Sequence, residues 1–205
     1  MLIVGITGGT ASGKTTIVEN SLSNFNKNDI GVISQDSYYK QTDDLTHEER
    51  IAINFDHPQA IDFDLLVQQI NLLKNGATIQ QPVYSFLTHN RTNEQKYFAP
   101  KKIIIVEGIL IFNDKRLLDL FDFKIFIDAD ADERLMRRII RDSNERGRDA
   151  NEVINRYRST LKPMHDLYIE PHKKNADLIF NNTVKENNNS QLLTDLIQKK
   201  LTSHS

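Results

Sequence analysis

Leu2-Ile3-Val4-Gly5-Ile6-Thr7-Gly8-Gly9-Thr10-Ala11-Ser12-Gly13-Lys14-Thr15-Thr16 opens this chain, and the order of residue types in it sets the fold. Leu2–Thr7 is a short apolar, β-branched run that stops at glycines, which predicts a strand entering a tight turn. Gly8 to Thr15 fits the spacing G-x-x-x-x-G-K-[ST]. Ile17, Val18, Leu22 and Phe25 then recur at helical spacing. In that strand–loop–helix context, glycines let backbone N–H groups wrap a phosphate without Cβ clashes. The positive end of the helix points at the same anion. Lys14 would reach the outer phosphates, and Thr15 would offer its hydroxyl to Mg²⁺. The stretch predicts nucleotide binding but does not by itself separate a kinase from a switch GTPase or an ATP-driven motor. Small size plus an insertion favours a small-molecule kinase.

Working outward, Gly31–Ser34, Ile103–Glu107, Phe123–Asp128 and Asp177–Asn181 are further strand-like runs. Ile103-Ile104-Ile105-Val106 is continuously apolar, as a strand covered on both faces would be. Helical patterns lie between them. Asp62 is placed to cap a helix carrying Leu65, Leu66, Ile70 and Leu73. Leu135, Ile139 and Ile140 mark another helix. Val153, Ile154, Tyr157 and Leu161 mark one that stops near Pro163. Leu192, Leu193, Leu196, Ile197 and Leu201 mark a last helix, after a loop at Asn181–Ser190. The alternation predicts one α/β domain over residues 1–205 with a mainly parallel five-stranded sheet and helices on both faces. Residues 78–97 have no helical period and read as a β-hairpin-like insertion covering the substrate. Residues 182–205 read as a C-terminal loop and helix.

Composition narrows the class. The 205 residues hold 26 Lys plus Arg against 28 Asp plus Glu, a net charge of −2, which gives no support to a nucleic-acid binder. There are no cysteines, which excludes disulfides, thiolate metal sites and thiol nucleophiles. The histidines lack metal-binding spacing. No apolar stretch suits a bilayer, and no basic region precedes the first apolar run. The expectation is a cytoplasmic protein with neither membrane nor nucleic acid as partner.

Ligands of open α/β sheets bind at the carboxyl ends of strands. After Gly31–Ser34 comes Asp36, which would take a proton from a hydroxyl substrate or serve as a turn cap. After Val106 comes Glu107, a candidate Mg²⁺ acid or a strand-ending charge. Phe55, Asp56, Tyr84, Phe86 and His89 offer aromatic faces and polar edges suited to a base. From Arg134 to Arg148 the chain carries six of its 11 arginines, with Arg134, Arg138 and Arg141 on one helix face. That window has a net charge of +4, so the other 190 residues carry −6. Arginine forks bind phosphate oxygens in a bidentate way, so the window reads as a lid over a transferring phosphoryl group. A solvated basic face and an RNA-binding patch are the other readings.

The segments GITGGTASGKTT, ISQDSYY, NFDHPQAIDFD, PVYSFLTHNR, IIIVEGILIF, IDADADERLMRRIIRDSNERGRD and KPMHDLYIEPHKKNADLIF resemble, in order and spacing, the uridine kinase (uridine–cytidine kinase) family over roughly residues 2–180. The resemblance implies the P-loop kinase fold and phosphorylation of the 5′-hydroxyl of uridine or cytidine by ATP or GTP with Mg²⁺. It also implies a homotetramer with feedback inhibition by pyrimidine triphosphates. By the same resemblance, Gly8, Gly9, Thr10, Ala11, Ser12, Gly13, Lys14, Thr15 and Thr16 hold the donor. Asp36 is the general base, with Lys14 and Arg148 also catalytic. Asp56 contacts the ribose. Tyr84 and His89 read the base, with Phe55 and Phe86 as pocket walls, and Tyr39 also binds substrate. Arg138 and Arg141 bind substrate and phosphate, and Thr15 and Glu107 sit at the metal. The chain departs from the family in three places. Ser85 stands where an acid is common and Arg156 where glutamine is common. Asn181-Asn182-Thr183 replaces glycine-rich residues after the last strand. Sister kinases of phosphoribulose or pantothenate share this scaffold and are its nearest rivals.

Overall fold

A computed structural model describes residues 1–184 and 187–203, with the backbone alone at Arg146, Thr202 and Ser203. The chain runs β1 (Leu2–Gly8), α1 (Lys14–Leu22), β2 (Ile30–Ser34), a single 3₁₀ turn (Gln35–Tyr38), α2 (His47–Ile51), α3 (Phe63–Lys74), β3 (Ile79–Ser85) and β4 (Asn90–Phe98). It continues with β5 (Ile103–Glu107), α4 (Lys115–Leu118), β6 (Phe123–Asp128), α5 (Ala131–Arg146), α6 (Ala150–Arg156), α7 (Lys162–Tyr168), β7 (Leu178–Asn181) and α8 (Asn189–Ser203). Five strands form a parallel sheet in the order β2-β5-β1-β6-β7.

The period of two in a strand explains the unbroken apolar run of β5. Ile104 and Val106 join Ile3, Leu66, Ile70, Leu73 and Leu117 in a core on the α3–α4 face. Ile103 and Ile105 join Val4, Ile6, Ile17, Val18, Leu193 and Ile197 in a core on the α1–α8 face. Every residue of β5 is buried, and its apolar run gives way to a charge only at Glu107, where the strand ends at the edge of the sheet.

The insertion is an antiparallel hairpin, β3–β4, that pairs outside the main sheet. It extends to Phe98, whose ring packs on Gly31 of edge strand β2. Polar ties dock it. The Gln69 amide donates to the Gln80 carbonyl at 2.9 Å, Asn90 to Asp43 at 2.6 Å and Arg91 to Asp62 at 3.1 Å.

Three expectations change. The helix through Leu161 does not stop near Pro163. It widens into a π turn at Tyr157–Leu161 and continues as α7 with Pro163 in its first turn. Proline lacks an N–H and crowds the carbonyl four residues back; the first helical turn tolerates both, and the widened turn precedes it. The asparagine-rich loop is shorter than expected, because α8 begins at Asn189. Within the expected C-terminal loop and helix, Lys185, Glu186, His204 and Ser205 lie outside the described residues. Helix α2 was not anticipated, although Thr46 and Glu49 form a capping box whose spacing is legible in the sequence.

Candidate active site

All five strands of the main sheet are parallel, so their carboxyl ends share one edge, and a cleft of about 1070 Å³ opens there. One wall is the phosphate loop. Gly13 sits at φ +93°, a left-handed conformation open to glycine, and turns the chain into α1. Thr10, Ala11, Gly13, Lys14, Thr15 and Thr16 line the cleft, while Gly8, Gly9 and Ser12 are buried and do not line it. The Lys14 ammonium donates to the carbonyls of Gly8 at 2.9 Å and Gly9 at 3.0 Å. Burial pulls its pKa down to about 8, against the raising effect of Glu107 and Asp36.

A second wall rises from β2 and the 3₁₀ turn. The Ser34 hydroxyl donates to Glu107 at 2.7 Å and accepts the Asp36 N–H at 3.4 Å. Ser34 thereby links the backbone of the turn that carries Asp36 to the Glu107 carboxylate, a role that sequence reading missed because 73 residues separate it from Glu107. Gln35 is fully buried, and its amide oxygen accepts the Leu110 N–H at 2.7 Å. A Cβ on Gly108 would lie 2.3 Å from Gln35, so the glycine after Glu107 makes room for this brace.

The third wall is aromatic. Tyr39 lies 5.1 Å from Phe55 and 4.9 Å from Tyr84, and Phe55 stacks on His89 at 5.7 Å, between ring centres. Tyr84 meets Phe86 at 5.3 Å. Burial first, then Asp36 and Asp56, hold the Tyr39 phenol well above its ordinary pKa. Burial and Asp36 raise that of Tyr84 as well. The Tyr84 hydroxyl is buried without a hydrogen-bond partner among the described residues, which is a donor free for a ligand's polar edge. His89 adopts φ +50° in the turn that carries it over Phe55.

The arginine window is built differently from its sequence pattern. Arg134 does not line the cleft. It is buried against Gly9 and donates to the Ala129 carbonyl at 3.0 Å and to His165 at 3.3 Å. Met136 and Ile140 of the same helix face solvent. Tertiary packing against the phosphate loop reverses the ordinary rule because the arginines find acceptors there. Arg137, Arg138, Arg141, Arg148 and Arg156 line the cleft. Arg138 donates to the Thr10 hydroxyl. Burial lowers its pKa to about 10, against Asp56 and Asp142. Asp142, which sequence reading treated only as charge, is 1% exposed and gathers the guanidiniums of Arg141 at 3.0 Å, Arg138 at 3.4 Å and Arg148 at 3.4 Å. The Arg146 side chain lies outside the described residues.

His165 supports this wall from behind. Burial, then the neighbouring Arg134, drop its pKa to about 4, so at neutral pH the ring accepts the Arg134 bond. The unfolded chain takes up a proton below pH 6.5 that the folded state refuses until about pH 4. The contribution of His165 to stability is therefore full above pH 6.5 and is lost as pH drops through that window, by up to about 1.4 kcal/mol per pH unit. His165→Gln is expected to flatten the acid limb of Tm against pH. An acid limb as steep in the variant as in the parent would assign the loss to other groups.

As to a metal, Thr15 and Glu107 face the cleft together with Asp36, and Glu107 is 8% exposed with one oxygen engaged by Ser34. Hard oxygen donors of this number fit Mg²⁺, which keeps waters and substrate phosphates in its shell. Among the described residues no three His, Asp or Glu side chains form a metal cage.

Asn26-Lys27-Asn28-Asp29 also spells N-K-x-D, the pattern with which switch GTPases read guanine. The structure puts it in the turn leading into β2, at the amino end of the sheet and away from the phosphate loop, with Asp29 paired to Lys102 at 2.9 Å.

A parallel sheet whose first strand feeds a glycine loop and helix, facing a carboxylate and an arginine-lined wall, defines a P-loop kinase. The chain belongs to the phosphoribulokinase / uridine kinase family, whose model matches residues 3–189. It is 46% identical over 200 residues to a uridine kinase of Clostridium perfringens, covering 98% of this chain and 94% of that protein. It is 43% identical over 199 residues to a uridine kinase of Staphylococcus haemolyticus, covering 97% and 94%. Its fold is similar to a possible uridine kinase from Bacillus stearothermophilus (TM-score 0.61, 20% identity, 87% and 88% covered). It is also similar to phosphoribulokinase from Rhodobacter spheroides (TM-score 0.64, 17% identity, 88% and 69% covered). Among the described residues no helix is long and apolar enough to cross a membrane.

Proposed function

We propose that this kinase transfers the γ-phosphoryl group of ATP or GTP to the 5′-hydroxyl of uridine or cytidine, giving UMP or CMP in pyrimidine salvage in the cytoplasm. The observation that carries the reading is a single cleft with a phosphate loop on one wall and an aromatic cage over a carboxylate on another. The names of the relatives at 43–46% identity support it. A flat base suits the faces of Phe55 and His89, and the unpartnered Tyr84 hydroxyl suits its polar edge. Asp56, on the same side of the cleft, takes the ribose hydroxyls.

In this reading Asp36 accepts the 5′-hydroxyl proton as O5′ bonds to the γ-phosphorus, and the bond to the β-phosphate oxygen breaks to release the nucleoside diphosphate. Gly8–Thr16 hold the donor phosphates, with Lys14 turning from the loop carbonyls to their oxygens. Arg138, Arg141 and Arg148 neutralise charge on the transferring group. Thr15 and, directly or through water, Glu107 would hold Mg²⁺, which would supply further neutralisation of the phosphates. The reading includes the homotetramer that the family resemblance implies. Met136 and Ile140 on α5, and Leu178 and Ile179 on edge strand β7, are apolar and exposed and so available for it.

A coupled assay with uridine, cytidine, adenosine and ribulose 5-phosphate tests the assignment. Uridine and cytidine are expected to be turned over. Turnover of ribulose 5-phosphate without either pyrimidine nucleoside would overturn it. Light scattering tests the assembly against the 23.7 kDa of one chain.

A further inference from the structure

Asn182, in the asparagine-rich stretch that follows β7, holds the phosphate loop from outside. The Asn182 amide nitrogen donates to the Ser12 carbonyl at 2.7 Å across 170 residues of sequence. Its orientation is fixed, because its own amide oxygen accepts from Asn187 and, at 3.3 Å, from Asn189. Asn189 is 5% exposed and also donates to the Asn181 carbonyl at 2.7 Å. The approach is close: a Cβ on Gly13 would lie 2.2 Å from the Asn182 amide nitrogen. From the other side Arg137 of α5 donates to the carbonyls of Asn182 at 2.9 Å and Thr183 at 2.8 Å. The segment thus ties the arginine wall to the phosphate loop.

We infer that Asn182 is a positioning residue that presets the phosphate loop for the donor nucleotide. A trans peptide plane sets its C=O and the next N–H on opposite sides. Capturing the Ser12 oxygen from outside therefore aims the Gly13 N–H into the cleft, where a phosphate oxygen is its acceptor. Without the tether that plane is free to rotate, since Gly13 tolerates many conformations, and the donor must fix it on binding. This rests on the kinase reading of the cleft but not on which acceptor it takes.

Two variants test it by calorimetric titration with ATP and Mg²⁺ in the absence of any acceptor, so a wrong acceptor assignment leaves the comparison intact. Asn182→Asp keeps the shape and the oxygens that Asn187 and Asn189 bond, and replaces only the donor. Asn182→Ala removes the tether without adding charge. Both are expected to weaken ATP binding about tenfold, the scale of one lost hydrogen bond. Tm and the KM for the acceptor should stay near those of the parent. Asn188→Ala, exposed in the same loop, is expected to bind ATP as the parent does. Parent-like ATP binding by Asn182→Ala would overturn the inference. So would equal losses at donor and acceptor sites with a lowered Tm, which would make Asn182 a general stabiliser of the fold.

Discussion

Asp36→Asn is expected to lower kcat by about 10²–10⁴-fold, the range for removing a general base, with ATP binding and Tm near those of the parent. Asp36 caps no long helix and fills no core. It belongs to a single 3₁₀ turn whose N-cap is Ser34, and its N–H bond to Ser34 survives the substitution. The asparagine keeps shape and loses the proton acceptor. Tyr39 and Tyr84, which stay protonated near this carboxylate, cannot replace it as acceptors at neutral pH. The measurement is steady-state kinetics with uridine at saturating ATP, alongside ATP titration. A variant with near-normal kcat would remove Asp36 from the reaction.

Asp142→Asn is expected to cost about 3 kcal/mol of stability, the lower part of the range for deleting one partner of a buried ion pair. The guanidiniums of Arg138, Arg141 and Arg148 share this carboxylate, and Arg138 is itself buried. Asparagine at the same place accepts one bond but cancels none of the charge. The backbone carbonyl of Asp142 still receives the Arg148 N–H at 3.2 Å, so the bend at Gly147 survives. The arginines, no longer held toward the cleft, should also reduce kcat/KM by about tenfold or more, since fixed cations at the phosphoryl group are the main catalytic contribution of such sites. Urea denaturation and initial rates read the two effects. A midpoint within about 0.5 kcal/mol of the parent, with unchanged kcat/KM, would show the arginines held by other contacts.

Much of the fold was legible because its signals are local. The apolar run from Ile103 to Val106, the cap at Asp62 and the glycine spacing from Gly8 to Thr15 each depend on residues a few positions apart, and each element formed where they indicate. The hairpin was legible by its lack of helical period, and the aromatic residues it carries fell on one cleft with Asp36 and Asp56. Pro163 misled because a proline ends a helix or opens one with equal local logic, and the π turn before it left no pattern in the sequence.

What the sequence determined by itself was the α/β alternation, the phosphate loop and the residue types available for phosphoryl transfer. Periodicity and glycine placement are properties of neighbouring residues, and these suffice. Only the tertiary structure decided which arginine serves which purpose. Arg134 and Arg138 are four residues apart on one helix, yet one braces Gly9 from below and the other bonds Thr10 at the cleft. It likewise decided that Asp142 gathers the cations, that Ser34 joins Asp36 to Glu107, and that Asn182 holds Ser12. Those contacts join segments 73 to 170 residues apart or depend on which helix face is buried. Burial and long-range hydrogen bonding are set when the sheet assembles, and no local spacing carries them.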